Sequence, residues 1–344
     1  MDITELLTLS TSRGASDLHL SAGLAPMLRI DGDIRPLDSP ALDAQQVLAL
    51  MHGLMSEPQR QVFASQQDLD FAYELPGVAR FRVNAFQHVR GAAAVLRLIP
   101  SRVQSLEALG LGQVFQQIAE APRGLVLVTG PTGSGKSTTL AAMIDHLNQH
   151  RQQHILTLED PIEFIHSQKS CLIHQREVPR DTRSFATALR AALREDPDVI
   201  LLGELRDLES IRLALTAAET GHLVFATLHT ASAAKSIDRL VDVFPGEEKA
   251  LVRSMLAESL QAVIAQVLLK KVGGGRVAAH EIMLGNAAIR NLIREDKVAQ
   301  MYSAIQTGGA QGMRTLDMSL KALLGQGLIS REQAREQARM PESF

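Results

Sequence analysis

The spacing of apolar and polar positions divides the chain into two parts with different periodicity. The first hundred residues alternate short strand-like stretches with turn signals such as Asp31-Gly32, which predicts a small α+β domain. Its expected strands lie at 17–21, 27–30, 34–37, 69–74, 78–87 and 92–99, and its expected helices at about 43–55 and 57–65. Turn signals separate the last three strands, which therefore form a meander.

From Gly124 onward, short apolar runs alternate with helical patterns, which is typical of a parallel sheet covered on both faces. The expected strands are 125–129, 155–158, 199–202 and 223–228, and the expected helices are 138–148, 183–195 and 208–219. After Pro245 the pattern is mostly helical and is interrupted by a hairpin around residues 273–275. The sequence therefore predicts an α/β domain with a helical C-terminal region.

Two prolines, Pro100 and Pro122, bracket a stretch that holds one expected short helix at 111–119. We place the domain boundary there, because a change of periodicity at a proline-bracketed stretch is typical of a connector. The expected organisation is an N-terminal domain at 1–100, a linker at 101–122 and a second domain at 123–344.

The most specific signal is an apolar strand that runs into GPTGSGKS, the phosphate-binding pattern G-x-x-x-x-G-K-[ST]. Glycines let the backbone turn its N–H groups toward a phosphate, and the following helix directs its positive end at the same group. Lys136 adds a point charge against the β- and γ-phosphates, and the Ser137 hydroxyl is an oxygen ligand for Mg²⁺. The expected nucleotide-binding residues are Gly130, Pro131, Thr132, Gly133, Ser134, Gly135, Lys136, Ser137 and Thr138.

Composition narrows the functional class. The net charge is −3, so no basic field favours nucleic acid as a partner. A single cysteine, Cys171, excludes an intrachain disulfide and a multi-cysteine zinc site. No apolar run is long enough for a membrane span, and the N-terminus lacks the features of a signal peptide. We therefore expect a cytoplasmic protein that reaches a membrane only through a partner.

Acidic residues follow two later strands of the expected sheet. Glu163 lies in LEDPIEF after the second strand, beside the expected nucleotide, and is suited to polarise an attacking water. Glu204 ends the strand in LLGELRD, where Gly203 stands in the place that an aspartate often takes. We interpret Glu163 as the catalytic base and Glu204 as the residue on the metal side, while the reverse assignment stays open.

Histidines flank the strand expected at 223–228. His229, at the end nearer the phosphates, is a candidate γ-phosphate sensor, whereas His222 at the far end is suited to link sheet and loop. Packed or surface roles are the alternative for both.

Paired arginines are further candidates. Arg190 and Arg194 are four residues apart on one expected helix, and like charges so placed favour an opposing anion, with Glu195 and Asp196 as the simpler partners. In the N-terminal domain, Arg82 lies on one expected strand with Arg80, and Arg97 lies on the next. An arginine from this domain would act on a phosphate across a subunit interface, a recurrent way of completing such sites, whereas solvation at the surface is the alternative.

The segments GPTGSGKSTT, LEDPIEF, ALREDPD, LLGELRD, AAETGHLVFATLHT and AIRNLIRE, in this order, resemble the secretion and pilus motor ATPases, and most closely the type IV pilus retraction ATPases. The resemblance spans essentially the whole chain. It implies a PAS-like N-terminal domain, a RecA-like ATPase domain and a homohexameric ring that uses ATP and Mg²⁺. The implied partner is an inner-membrane pilus platform protein, reached from the cytoplasmic side without membrane insertion.

The resemblance also implies roles for individual residues. The acidic box of the family covers residues 159–163 with Glu163 as the base, and its Walker B glutamate falls on Glu204. Its histidine box spans His222 and His229, and AIRNLIRE corresponds to a motif associated with retraction rather than hydrolysis. Its two arginine pairs match Arg82 with Arg97, and Arg190 with Arg194.

Two features that the sequence lacks favour a retraction ATPase over an extension or secretion ATPase. Extension and secretion motors commonly carry further N-terminal domains and a tetracysteine zinc module, whereas this sequence starts at the expected PAS-like domain and has one cysteine. The alternatives are a related secretion or extension ATPase, a RecA-like nucleic-acid translocase, a small-molecule kinase, and a nucleotide-binding regulator that scarcely turns over.

Overall fold

The computed structural model describes residues 2–99 and 103–344. Residues 2–99 belong to one compact unit and residues 103–344 to a second. Pro100 and the first two residues of the expected linker, Ser101 and Arg102, lie outside the described residues.

The first unit is built on a six-stranded antiparallel sheet with strand order β3-β2-β1-β6-β5-β4. Alternate residues of β5, including Phe81, Val83 and Ala85, are buried, as the period of a half-covered sheet requires. Its elements are α1 (Ile3–Ser12), β1 (Asp17–Ser21), β2 (Met27–Ile30), β3 (Asp33–Pro36), α2 (Ala44–His52), α3 (Glu57–Gln66), β4 (Asp68–Leu75), β5 (Ala79–His88) and β6 (Gly91–Ile99). The predicted meander is confirmed, and α1 was not predicted.

The second unit contains a seven-stranded sheet with strand order β13-β12-β7-β11-β10-β8-β9. Its elements are α4 (Gln113–Ala119), β7 (Gly124–Thr129), α5 (Lys136–His150), β8 (His154–Glu159), β9 (Leu172–Glu177), α6 (Phe185–Ala192), β10 (Val199–Leu202), α7 (Leu208–Glu219), β11 (Leu223–Leu228), α8 (Ala233–Asp242), α9 (Lys249–Ser259), β12 (Leu260–Lys270), β13 (Arg276–Leu284), α10 (Ala287–Arg294), α11 (Met301–Thr307), α12 (Leu316–Gly325) and α13 (Arg331–Gln337). Residues 103–122 pack with this unit, where Phe115 and Ile118 are buried.

The four predicted parallel strands are confirmed as β7, β11, β10 and β8, which are neighbours in the sheet. Every residue of β7, β10 and β11 is buried, because helices cover the sheet on both faces and the two faces hold separate apolar clusters. The carboxyl ends of these strands meet at one edge, which places the loops that follow them together.

Two parts of the sheet differ from expectation. The predicted hairpin after Pro245 is longer than expected, since its strands β12 and β13 add to the central sheet, with β12 parallel to β7. Strand β9 at the other edge was not predicted. A mostly apolar run such as 260–270 fits a buried helix as well as a buried strand. Its periodicity alone therefore did not decide between the two.

Helix α6 ends at Ala192, so the prediction that Arg190 and Arg194 share one helix is wrong. The N–H of Arg194 donates to Ala191 O at 2.9 Å, which tightens the chain into a turn. Asp196 then takes a positive φ of 54°. Among the described residues, no helix has both the length and the apolarity needed to cross a lipid bilayer.

Candidate functional site: a phosphate loop at the edge of the parallel sheet

The glycine-rich loop joins the carboxyl end of β7 to the first turn of α5. Gly130, Gly133 and Gly135 have φ values of 145°, 78° and 86°, which residues with a Cβ rarely adopt. A Cβ at Gly130 would also lie 2.3 Å from the Gln266 carbonyl oxygen. The backbone of this loop therefore depends on glycine for both conformation and space.

Lys136 folds back over the loop at the start of α5. Its Nζ donates to the carbonyl oxygens of Gly130 at 2.9 Å and Pro131 at 3.0 Å. Burial lowers the pKa of the Lys136 ammonium, and the carboxylates of Glu163 and Glu204 act in the opposite direction. The charges of the two acidic residues that the sequence singled out thus act on Lys136.

The remaining loop residues fit the binding of a phosphate group. Ser137 and Thr138 lie half-buried in the first turn of α5, where backbone N–H groups have no helical partner. Ser134 is buried, and its hydroxyl has no hydrogen-bond partner among the described residues. Pro131 and Thr132 lie exposed at the tip of the loop. Phosphate binding requires small residues whose backbone N–H groups point toward the anion, together with a cationic side chain.

Glu159 lies at the end of β8, immediately before the loop that carries Glu163. Its carboxylate accepts hydrogen bonds from Thr157 Oγ1 at 2.7 Å and, more weakly, from the Glu163 N–H at 3.5 Å. Burial raises the pKa of Glu159 to about 7. Glu159 therefore lies beside the backbone at Glu163, and no sequence signal beyond the acidic motif predicted this contact.

A small cavity of about 30 Å³ lies beside Glu159. Ser137, His166 and Thr227 contribute to its wall. The buried Nδ1 of His166 has no hydrogen-bond partner among the described residues, and burial lowers the pKa of His166 to about 4. His166 is therefore a neutral polar group in a space that accommodates a water molecule.

Gly203 lies where β10 passes the end of β8. Its N–H donates to Leu158 O at 2.8 Å, and its carbonyl oxygen accepts a hydrogen bond from the Thr227 hydroxyl. An added Cβ would lie 3.3 Å from Glu159 Cα. This close approach explains why the position holds glycine rather than the aspartate that the usual pattern suggests.

Glu204 follows Gly203 and contacts the side chains of Arg206 and His229. Its Oε2 accepts from Arg206 Nε at 2.7 Å, and its Oε1 lies 3.4 Å from His229 Nε2. The His229 side chain is 44% exposed. His229 therefore lies beside Glu204, at the end of the parallel strands that carries the phosphate loop.

His222 lies at the opposite end of the parallel strands, directly before β11. Its carbonyl oxygen accepts from the Gly124 N–H at 2.9 Å, and its Nδ1 lies 3.0 Å from Ala217 O. The length of β11 separates this position from the loop by roughly 20 Å, at about 3.3 Å per residue. Within its own chain, His222 connects helix α7 to the sheet rather than contacting the phosphate loop.

Three of the four arginine candidates bind a carboxylate of their own unit. Arg190 on α6 forms an ion pair with Glu209 on α7, and Arg194 is exposed in the turn after α6. In the first unit, Arg82 and Arg97 face each other across β5 and β6. The partners of these two guanidinium groups are Asp70 and Asp17, respectively.

Two structurally central residues carried no sequence signal for their contacts. Gln266 on β12 donates to Ser134 O, and Arg290, within AIRNLIRE, donates to Gly285 O at 2.6 Å, Ala257 O at 2.7 Å and Leu260 O at 3.0 Å. Arg290 thus binds carbonyl groups where α9 ends and β12 begins.

Comparisons with known proteins identify the family of this chain. The family model described as "Type II/IV secretion system protein" matches residues 1–335. The Pseudomonas aeruginosa protein "Type IV pilus retractation ATPase PilT" is 69% identical over 344 residues, with 100% of both chains covered. The Neisseria gonorrhoeae "Twitching motility protein" is 58% identical over 343 residues, covering 99% of this chain and 92% of that one.

A solved structure of the pilus retraction motor PilT with bound ADP has a TM-score of 0.89 at 48% identity, covering 100% of this chain and 99% of that chain. The agreement in fold and the full-length identity confirm the resemblance inferred from the motifs. The chain belongs to the type II/IV secretion system protein family.

Proposed function

We propose that this protein is a motor ATPase whose hydrolysis of ATP drives type IV pilus retraction. The observation that carries the ATPase assignment is the glycine-dependent phosphate loop with Lys136 folded over it, where the charges of Glu163 and Glu204 act on that lysine. Full-length similarity to the Pseudomonas aeruginosa retraction ATPase and to the Neisseria gonorrhoeae twitching motility protein supports retraction as the output.

Each residue of the site has a proposed task. The loop amides and Lys136 hold the β- and γ-phosphates of ATP. Ser137 and Glu204 would hold Mg²⁺, which would neutralise phosphate charge. The Glu163 carboxylate orients the attacking water and accepts its proton. His229, which lies beside Glu204, is the proposed sensor of the γ-phosphate.

The proposed working form is a homohexameric ring. In this form Arg82 and Arg97, and likewise Arg190 and Arg194, complete the site of a neighbouring subunit, and His222 joins it from the far edge. Residues 1–100 are the proposed PAS-like domain and 101–122 the proposed linker, of which residues 103–122 pack with the second unit. Residues 123–344 are the proposed RecA-like ATPase domain.

The proposed location is the cytoplasmic face of the inner membrane, reached through the pilus platform protein. No nucleic acid is expected as a partner, because the net charge is −3.

Steady-state ATP hydrolysis tests the site. Lys136→Ala should lose both nucleotide binding and turnover, whereas Glu163→Gln should still bind ATP but lose at least about a hundredfold in kcat, since it cannot accept the proton. Lys249→Ala, at a lysine paired with Asp242 away from the loop, is the control. Wild-type turnover in Lys136→Ala contradicts the site, and a larger kcat loss in Glu204→Gln than in Glu163→Gln reverses the two acidic roles.

A deletion in the native cell tests the output. Retraction predicts excess surface pili with loss of twitching, whereas an extension motor predicts an absence of pili. Stimulation of hydrolysis by DNA would favour a translocase, and a requirement for a small acceptor molecule would favour a kinase.

A further inference from the structure

Strand β12 carries a buried glutamine whose amide joins two parts of the nucleotide-binding segment. Gln266 is 2% exposed. Its Nε2 donates to the Ser134 carbonyl oxygen at 2.5 Å, and its Oε1 accepts from Thr139 Oγ1 at 2.9 Å. Both ends of the amide are therefore engaged, one by the loop and the other by the first turns of α5.

The backbone of Gln266 also shapes the loop. Its carbonyl oxygen lies where a Cβ at Gly130 would approach to 2.3 Å. The strand cannot easily yield at this point, because Gln266 pairs with His280 on β13 and the preceding Ala265 pairs with Thr129 on β7. Gln266 thus contacts the loop from a strand held on both sides.

The contact between Gln266 and the Ser134 carbonyl oxygen also fixes the direction of a backbone N–H in the phosphate loop. In a trans peptide the C=O and the N–H point in opposite directions. Since the Ser134 C=O points at Gln266, the Gly135 N–H of the same peptide points away from β12. Gly135 has a positive φ of 86° and precedes Lys136, so this peptide opens the first turn of α5.

We propose that Gln266 is a positioning residue for the phosphate loop, holding the Ser134–Gly135 peptide so that its N–H is oriented to receive a nucleotide phosphate. The inference rests on the proposed ATP-binding function. Gln266 acts through the loop and touches no reacting atom. Its loss lets the peptide rotate, so binding must reorder the loop, and this ordering weakens the affinity for ATP.

Nucleotide affinity and turnover of the full chain test the proposal. Gln266→Met preserves length and volume but removes both hydrogen bonds, and Thr139→Val removes only the bond to Oε1. Gln261→Met is the matched control, because Gln261 lies on the same strand and its side chain donates to Arg123 O at 2.8 Å, at the opposite edge of the sheet. Equilibrium binding of Mg·ATP, KM, kcat and the thermal midpoint are measured for each variant.

Gln266→Met should raise the Kd and KM for ATP roughly tenfold, while kcat at saturating ATP stays within about threefold, because bound phosphate restores the loop. Thr139→Val should raise Kd by about threefold, since the amide keeps its bond to Ser134 but is less constrained. If Gln266 had only a structural role, Gln266→Met would lower the thermal midpoint, but KM would not rise while kcat stays nearly unchanged.

Equal ATP affinity in Gln266→Met and Gln261→Met overturns the inference. Should Gln266→Met not fold, an unchanged Kd in Thr139→Val overturns it instead. If Lys136→Ala loses ATP binding, the proposed ATPase function is supported even when the Gln266 or Thr139 variant overturns the inference about Gln266. Wild-type affinity in Lys136→Ala would contradict that function separately.

Discussion

Arg82 and Arg97 lie directly opposite each other on β5 and β6, and a different carboxylate binds each guanidinium. The Nη2 of Arg82 donates to Asp70 at 2.6 Å, and the Nε of Arg97 donates to Asp17 at 2.9 Å. Like charges at opposite positions of a sheet repel, so the two aspartates stabilise the pair. In the proposed ring, an arginine that reaches a phosphate exchanges one anionic partner for another.

The two aspartates should differ in their contribution to stability. Asp17 is 4% exposed and also accepts from the Ser16 hydroxyl, whereas Asp70 is 40% exposed. Asp17→Asn should therefore lower the free energy of unfolding by about 1–3 kcal/mol, and Asp70→Asn by less than about 1 kcal/mol. Urea unfolding measures both. A larger loss in Asp70→Asn would contradict the importance assigned to burial.

Glu159 should make stability depend on pH in a defined window. Burial raises its pKa from 4.5 to about 7, so the folded protein retains this proton where the unfolded chain loses it. The contribution of Glu159 to stability is therefore greatest below the unfolded value and falls as pH rises toward about 7. Between pH 5 and 8, Glu159→Gln should gain stability relative to wild type by on the order of 2 kcal/mol.

Chemical unfolding at the two pH values measures this change. Glu219→Gln, at an exposed carboxylate that ends α7, is the control and should follow the wild type. A constant difference between Glu159→Gln and wild type across the range would refute the raised pKa.

Gly203 should tolerate side chains poorly. A Cβ there would lie 3.3 Å from Glu159 Cα and 3.4 Å from Leu158 O, so the end of β8 must shift. Gly203→Ala should cost about 1–2 kcal/mol of unfolding free energy, and Gly203→Asp more, because it adds a charge beside Glu159. Gly246→Ala is the control, since its Cβ meets no heavy atom of the described residues within 4 Å. Thermal unfolding should rank the three, and equal midpoints for Gly203→Ala and Gly246→Ala would contradict the close approach.

Two arginines of AIRNLIRE should behave differently. Arg290 donates to several main-chain carbonyls where α9 meets β12, whereas Arg294 pairs at 3.1 Å with Glu258, whose side chain is 65% exposed. Arg290→Ala should lower the free energy of unfolding by about 2–4 kcal/mol because it leaves carbonyls without partners, and Arg294→Ala by less than about 1 kcal/mol. Thermal unfolding of each variant provides the comparison, and equal losses would show that the carbonyl contacts are unimportant.

The sequence alone predicted the four central strands and the phosphate loop, and the structure confirms them. These predictions succeeded because their signals are local: buried runs bounded by glycine and a fixed spacing around Lys136. Local patterns also suggested that Arg190 and Arg194 share a helix, and that was wrong, since the turn after Ala192 is closed by short-range hydrogen bonds that periodicity does not report.

The sequence by itself thus determined the family, the parallel α/β core and the position of the phosphate loop along the chain. Only the tertiary structure decided that Gln266 contacts that loop across more than a hundred residues, that Glu159 is held protonated up to about pH 7, and that glycine fits at position 203. Residue identity fixes what a side chain is able to do. Burial and packing between distant segments fix its charge and its partner.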